Sequence, residues 1–488
     1  MPAMTTMKMF ALAAALAGWV GCAHAEPQPP ALTALSVEPY TLEARDGTAV
    51  ACERGQIVVP ENRSRPGSRD ITLRFVRFRS TSRRPGSPII YLAGGPGGSG
   101  IETARGDRLP LFLALREVAD VIALDQRGTG SSNDIPPCHT GRQYPLDRPA
   151  TREEYIPFVR EAAAGCVPFW KERGVDLAGY NTWESAADLD DLRAALGARK
   201  ISLWGISYGT HLALAALKRM PGKIDRVVLA SAEGLDQTVK LPAATDRYFA
   251  RVQQAIDLDP GARQAYPDLA ALMRRVHARL ASDPAVVTFT ARDGKTVTMT
   301  IGDFDVQNFA SAVIADPDGA AGLPALYAGM EAGHFEPVAA QLHAVGGGPL
   351  EFSGMSQAMD TASGISPARL ELVREQARTA ILGDALNFPM PHLQGAFGVP
   401  DLGEEFRTHA RTDVPALFLT GTLDGRTYPE EHAAIIESFS RATQVVVENA
   451  GHNLFMVSPL VTDVIVEFMR GRRVPTTRIV IAPPRFAY

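Results

Sequence analysis

A Gly-x-Ser-x-Gly pentapeptide, Gly205-Ile206-Ser207-Tyr208-Gly209, sits directly after the apolar run Ile201–Trp204 and directly before the helical-looking stretch Thr210–Lys218. Few folds accept that arrangement. A serine on a strand-to-helix turn has its backbone forced into a tight elbow, and side chains two residues to either side would collide, so glycine is required at both flanks. The elbow lifts the hydroxyl above the sheet edge, and the following helix aims its free amides and positive dipole end at the place where negative charge would develop. Ser207 is therefore a candidate nucleophile; the plainer alternative is a serine that only caps the helix.

The surrounding pattern predicts the sheet that such an elbow needs. Short apolar runs recur at Pro88–Leu92, Val118–Leu124, Ile201–Trp204, Val227–Ala230, Ala416–Thr420 and Gln444–Val447, with helical patterns between several of them. Ser185 with Asp188 reads as a capping box, after which Leu189, Leu192 and Leu196 fall on one helical face. Strand alternating with helix predicts a parallel sheet covered on both faces. Ahead of it, Gln56–Val59 and Ile71–Arg79 read as an antiparallel hairpin around Arg65-Pro66-Gly67. The alternation stops near Leu241 and resumes near Val414. The interval carries helix-spaced apolar residues such as Leu269, Leu272, Met273, Val276 and Leu280, and is too long for a structureless loop. The expected organisation is an α/β core over residues 26–240, a helical cap over 241–413 and the rest of the core over 414–488.

A serine hydroxyl needs a base, and the base needs an acid. After Ala416–Thr420 comes Gly421-Thr422-Leu423-Asp424-Gly425, and after Gln444–Val447 comes Ala450-Gly451-His452-Asn453. Asp424 and His452 thus stand on turns leaving predicted strands, in the chain order serine, acid, histidine. Asp413 and Glu448 are alternative acids. His211, four residues past Ser207, reads as a packing residue, because a helix carries its side chain away from the elbow. A glycine loop, Gly94-Gly95-Pro96-Gly97-Gly98-Ser99-Gly100, follows the strand Pro88–Leu92. It can bring the Gly95 amide against a carbonyl oxygen, with the Tyr208 amide as second donor. The same glycines also satisfy a dinucleotide fingerprint with Asp125 as ribose acid, but Pro110 and the Arg105-Gly106-Asp107 run make a poor first helix.

Composition excludes other classes. With 49 Lys plus Arg against 54 Asp plus Glu and no long basic run, the chain has no footprint for nucleic acid. Phe10–Val20 is too short to span a membrane. With Lys8 before it and Ala23-His24-Ala25 after it, it reads as a secretory signal over residues 1–25, cleaved after Ala25; the alternative is a lipoprotein signal that makes Cys22 a lipid anchor. The protein is thus expected to be exported, periplasmic or secreted. Export permits a disulfide, and Cys138 with Cys166 is the favoured pair because the two bracket one loop-and-helix segment, leaving Cys52 over. The cysteine spacing suggests no zinc site.

The glycine loop, the run Asp125-Gln126-Arg127-Gly128-Thr129-Gly130-Ser131-Ser132 and Gly205-Ile206-Ser207-Tyr208-Gly209-Thr210 together resemble the prolyl aminopeptidase and tripeptidyl aminopeptidase branch of the α/β-hydrolases. The resemblance runs from about Cys52 to Leu235 and again from about Val414 to Phe468. It implies an α/β-hydrolase fold with an inserted helical cap, and a serine peptidase that needs no metal or cofactor and removes residues from the free amino end of a peptide. It further implies acidic side chains near the cap that hold the substrate's ammonium group, for which Glu233, Glu351 and Asp360 are the candidates. Asp125 and Arg127 are expected to be a buried pair bracing the glycine loop. Fold and triad do not choose the leaving group, so a small-ester hydrolase stays open beside the aminopeptidase.

Overall fold

The computed structural model describes residues 35–488, so the expected signal, its cleavage after Ala25 and the alternative anchor at Cys22 lie outside the described residues. Ten strands form one sheet: β1 (Ser36–Glu43), β2 (Ala49–Pro60), β3 (Asp70–Phe78), β4 (Ile89–Leu92), β5 (Val121–Leu124), β6 (Ile201–Ser207), β7 (Ile224–Ala232), β8 (Ala416–Gly421), β9 (Ala442–Glu448) and β10 (Arg478–Val480). Their order is β1-β2-β3-β5-β4-β6-β7-β8-β9-β10. The first three strands pair antiparallel and β3 pairs antiparallel with β5, while every pair from β5 through β10 is parallel. After β5 the chain crosses back to the other side of β4, so the order reverses between β4 and β6. In open α/β sheets, ligands bind at the carboxyl ends of the strands beside such a reversal.

Both faces of the sheet are covered, and this is why its central strands read as unbroken apolar runs. In β4, Ile90 and Leu92 join the core under the helices Arg152–Glu172, Thr182–Ala195 and Tyr208–Arg219, while Ile89 and Tyr91 join the opposite core with the helices Leu109–Leu115 and Pro459–Met469. The helix Thr182–Ala195 starts earlier than the Ser185/Asp188 pattern suggests. Asn181 is its cap, accepting from the Glu184 amide at 2.9 Å, and Ser185 is buried inside the first turns. Cys138 and Cys166 form a disulfide, and Cys52 is a buried free thiol.

Between β7 and β8 the chain builds a separate apolar cluster from helices that include Pro242–Asp257, Leu269–Ser282, Asp303–Val313 and Leu323–Glu331. Leu269, Leu272, Met273, Val276 and Leu280 all face into it, as their spacing predicts. The insertion is not wholly helical. Ala285–Thr290 and Thr296–Ile301 form an antiparallel hairpin, and Glu351–Phe352 pairs back onto Cys138–His139. Among the described residues no helix is long and apolar enough to cross a membrane.

Candidate active site

β6 ends at Ser207, and the helix Tyr208–Arg219 begins at the next residue. Ser207 has φ 55° and ψ −129°, in the left-handed half of the map that costs a non-glycine residue roughly 1–3 kcal/mol and persists only where its surroundings impose it. The flanking glycines show what imposes it here. A Cβ on Gly205 would stand 2.7 Å from the Gly209 carbonyl oxygen, and a Cβ on Gly209 only 2.1 Å from that of Leu92. The helix therefore starts in direct backbone contact with the end of β4.

That contact also places the glycine loop. A Cβ on Gly94 would lie 3.0 Å from Ser207 Cβ, so the loop runs beside the serine, with Gly95 and Gly97 at φ 124° and 122°. Asp125 anchors it. Ser99 Oγ donates to Asp125 Oδ1 at 2.5 Å, the Ile101 amide to the same oxygen at 3.1 Å, and the Ser131 amide to Oδ2 at 2.7 Å. Burial raises this carboxyl above its ordinary range and the three donors oppose the rise. Arg127 departs from the expected pairing. It lies against Asp188, at 2.7 Å from each oxygen, and donates to the Glu61 and Gly179 carbonyls, so it braces the far side of the Asp-Gln-Arg-Gly run. Which carboxylate a buried arginine meets is decided by helix packing, which local sequence does not carry.

The acid turn follows β8 and the histidine loop follows β9. Asp424 is fully buried and accepts the Arg426 amide at 2.8 Å, the Thr427 amide at 2.9 Å and Thr427 Oγ1 at 2.7 Å. His452 Nδ1 lies 3.1 Å from each Asp424 oxygen. Burial alone would raise this carboxyl, but the imidazole and the Thr427 donors outweigh it and hold Asp424 well below the usual carboxylate range. Asp424 is thus an anion across the whole working pH range, and it favours the tautomer with hydrogen on Nδ1, which leaves Nε2 as acceptor. The histidine loop is tied to the strand next to the elbow: Ser231 Oγ donates to the His452 carbonyl at 2.8 Å, and the adjacent Ala232 is in register with Ser207. The alternative acid Glu448 faces away, bonded to Arg478.

Comparison with known proteins gives the arrangement a family. Residues 87–331 match the family described as the α/β hydrolase fold, just over half of the chain, and residues 398–480 match the one described as TAP-like protein. The chain belongs to the α/β-hydrolase family. It is 34% identical over 188 residues to the serine protease Hip1 of Mycobacterium tuberculosis, covering 36% of this chain and 35% of that protein. It is 32% identical over 190 residues to the tripeptidyl aminopeptidase of Streptomyces lividans, covering 36% and 34%. The matched part thus spans about a third of the length of these relatives. A solved thermophilic esterase from Thermogutta terrifontis aligns with 16% identity and a TM-score of 0.34 over 89% of this chain and 98% of its own.

The three candidate amine-binding acids of the hydrolase are not brought together. Glu351 lies on the ribbon with Cys138–His139, its carboxylate 2.7 Å from His139 and its side chain 53% exposed. Glu233 and Asp360 stay near the elbow. Glu233 is buried where β7 ends and is bonded to Lys240, which also donates to the Gln237 carbonyl at 2.6 Å. Asp360 rides on the helix Met355–Ser363, whose first turn covers both the Asp-Gln-Arg-Gly run and the glycine loop: Met355 Cγ lies 2.6 Å from where a Cβ on Gly128 would be, and Ser356 Oγ 2.7 Å from one on Gly97. Burial first and the Glu233 charge second push the Asp360 carboxyl up to about 8, against a lowering pull from Lys240. The same helix ends at Ser363, whose hydroxyl lies 3.1 Å from His211 Nε2. His211 is fully buried, with Nδ1 3.1 Å from the Gly234 carbonyl, a packing role as its helix position implies. Lys240 gave no signal in sequence, since nothing local distinguishes a lysine that turns inward.

Proposed function

We propose that the protein is an exported serine hydrolase that removes residues from the free amino end of peptides. The mechanism assigns a role to each of Ser207, Asp424 and His452, which all leave the carboxyl ends of parallel strands of the one sheet. His452 Nε2 takes the Ser207 proton as Oγ attacks the carbonyl carbon, Asp424 holds the imidazole tautomer and stabilises the imidazolium, and the Gly95 and Tyr208 amides receive the oxyanion. His452 then gives that proton to the leaving amine; water, deprotonated in turn by His452, attacks the acyl carbon, and as the bond to Ser207 Oγ breaks His452 returns that proton to the serine. The observation that carries the reading is the contact of His452 with the buried Asp424, on the same edge of the sheet as the strained Ser207 elbow.

The preference for a free amine is supported by a charge count. Glu233 and Asp360 are two carboxylates held together in a shielded place with one cation, Lys240. A substrate ammonium supplies the second cation and draws Asp360 into its ionised form. Export is supported by the Cys138–Cys166 disulfide, which belongs to an oxidising compartment.

The test is hydrolysis, by the mature protein and by Ser207→Ala, of prolyl and alanyl anilides with free amines, their N-acetylated forms, an alanine tripeptide anilide and a short-chain nitrophenyl ester. Cleavage that needs the free amine and disappears in Ser207→Ala is the expected result. Cleavage of the ester alone, lost in Ser207→Ala, would keep the triad and make the protein an esterase.

A further inference from the structure

We propose that Asp316, in the insertion, is a positioning residue that sets the catalytic histidine, so that His452 is held in place from the insertion as much as from the sheet. This rests on the triad reading above. The segment Ile314–Asp316 links the helices Asp303–Val313 and Pro317–Ala321 and passes directly over the acid and histidine loops. Ala315 O accepts the His452 amide at 3.0 Å. Asp316 Oδ1 accepts the Asn453 amide at 2.8 Å, and Oδ2 accepts Asn453 Nδ2 at 2.6 Å. Asn453 Oδ1, thereby turned outward, accepts from Arg108 Nη2 at 2.8 Å, and Arg108 lies over the Phe455 ring. Two consecutive amides, those of His452 and Asn453, are thus satisfied by the insertion.

Close backbone approach points the same way, independently of those bonds. A Cβ on Gly451 would stand 2.4 Å from Pro317 Cδ and 2.8 Å from Asp316 Cα, and a Cβ on Gly425 only 2.0 Å from the Ile314 carbonyl oxygen. The residues beside both Asp424 and His452 are glycines at the points where this segment lies on them. The core holds the same loop through Ser231 Oγ on the His452 carbonyl, Asp424 on the imidazole, and the acid turn, where Thr422 Oγ1 accepts the Asn449 amide and the Leu423 amide donates to the Ala450 carbonyl. A displacement of Ile314–Asp316 therefore moves the imidazole relative to Ser207, which the core holds separately.

The discriminating variants are Asp316→Ala, Asp316→Asn, Asn453→Asp and the swap that combines the last two. In Asp316→Asn an amide donor meets the Asn453 amide donor, and Asn453→Asp sets carboxylate against carboxylate. The swap restores a donor facing an acceptor and keeps the acceptor for Arg108. Four quantities are read: kcat and KM on an anilide or ester substrate, the rate at which a small fluorophosphonate modifies Ser207, and the melting temperature. Phosphonylation needs His452 to accept the serine proton but makes little use of a substrate pocket. Asp316→Ala is expected to lower kcat and the phosphonylation rate together by about 10- to 100-fold, the range that follows from a misplacement near 1 Å, with KM within about twofold. The swap is expected to recover most of that loss where each single variant does not. The proposal is overturned if Asp316→Ala phosphonylates at the wild-type rate, if KM rather than kcat changes, or if the swap is no better than the singles. Ser207→Ala measured alongside separates the two claims, because retained turnover there removes the triad reading itself.

Discussion

Replacing Asp424 by asparagine keeps shape and volume and changes only what the side chain can accept. In the native protein one oxygen accepts the Arg426 and Thr427 amides at 2.8 and 2.9 Å while the other accepts Thr427 Oγ1 at 2.7 Å, and both lie 3.1 Å from His452 Nδ1. Two backbone donors cannot turn away, so the amide oxygen of the variant must take the first position. Its NH2 then faces Thr427 Oγ1, which can reverse and accept, and His452 Nδ1, which can avoid a donor–donor contact only by giving up its hydrogen. The ring adopts the other tautomer, Nε2 becomes a donor, and no acceptor remains for the Ser207 proton. The expected loss is about 10⁴-fold in kcat, which is roughly 5 kcal/mol of transition-state stabilisation, with the fold retained because every buried partner still has a mate. The assay is steady-state hydrolysis of a free-amine anilide beside a thermal melt. A variant within tenfold of wild type at an unchanged melting temperature would refute the tautomer argument and the assignment of Asp424.

Two further predictions concern other parts of the molecule. Asp360, pushed up to about 8, should bind a substrate ammonium only when ionised, so the ratio of kcat/KM for wild type to that for Asp360→Asn on a free-amine anilide should rise as pH increases from 6 to 8 and level off above. The substrate's own amine titration cancels in that ratio, and a flat ratio would remove Asp360 from the amine site. The disulfide closes a loop with sequence separation 28, for which chain entropy gives about 3.5 kcal/mol. The double variant Cys138→Ala, Cys166→Ala should therefore melt lower in a calorimetric scan, and an unchanged melting temperature would contradict that figure.

Much of the sheet was legible because its parallel strands are buried on both faces and so appear as short apolar runs separated by helical periods. Strands without that signature were not: β1 is largely exposed and carries Pro39, and β10 has three residues. The hairpin Ala285–Thr290 and Thr296–Ile301 did carry a signal, alternating residues around Asp293-Gly294, which the helical pattern on either side of it overshadowed. Ser207, Asp424 and His452 stand out as candidates because each follows an apolar run on a turn, a local feature. What surrounds them does not. Arg127 meets Asp188, Lys240 meets Glu233, and Asp316 reaches Asn453 across a sequence separation of 137; all are products of how the insertion and the helices pack on the core. Glu351 shows the converse, since an acid near a glycine-rich turn gives no indication of which way its strand will pair.

A nucleophilic Ser207 can be detected by labelling without prior choice of substrate. The mature protein is incubated with a fluorophosphonate, its intact mass is measured, and the modified residue is located by peptide fragmentation, with His452→Ala as the companion. One adduct per chain is expected, on Ser207, formed far more slowly in His452→Ala. An adduct on another residue, or hydrolytic activity that survives full modification of Ser207, would contradict the assignment of Ser207 as nucleophile.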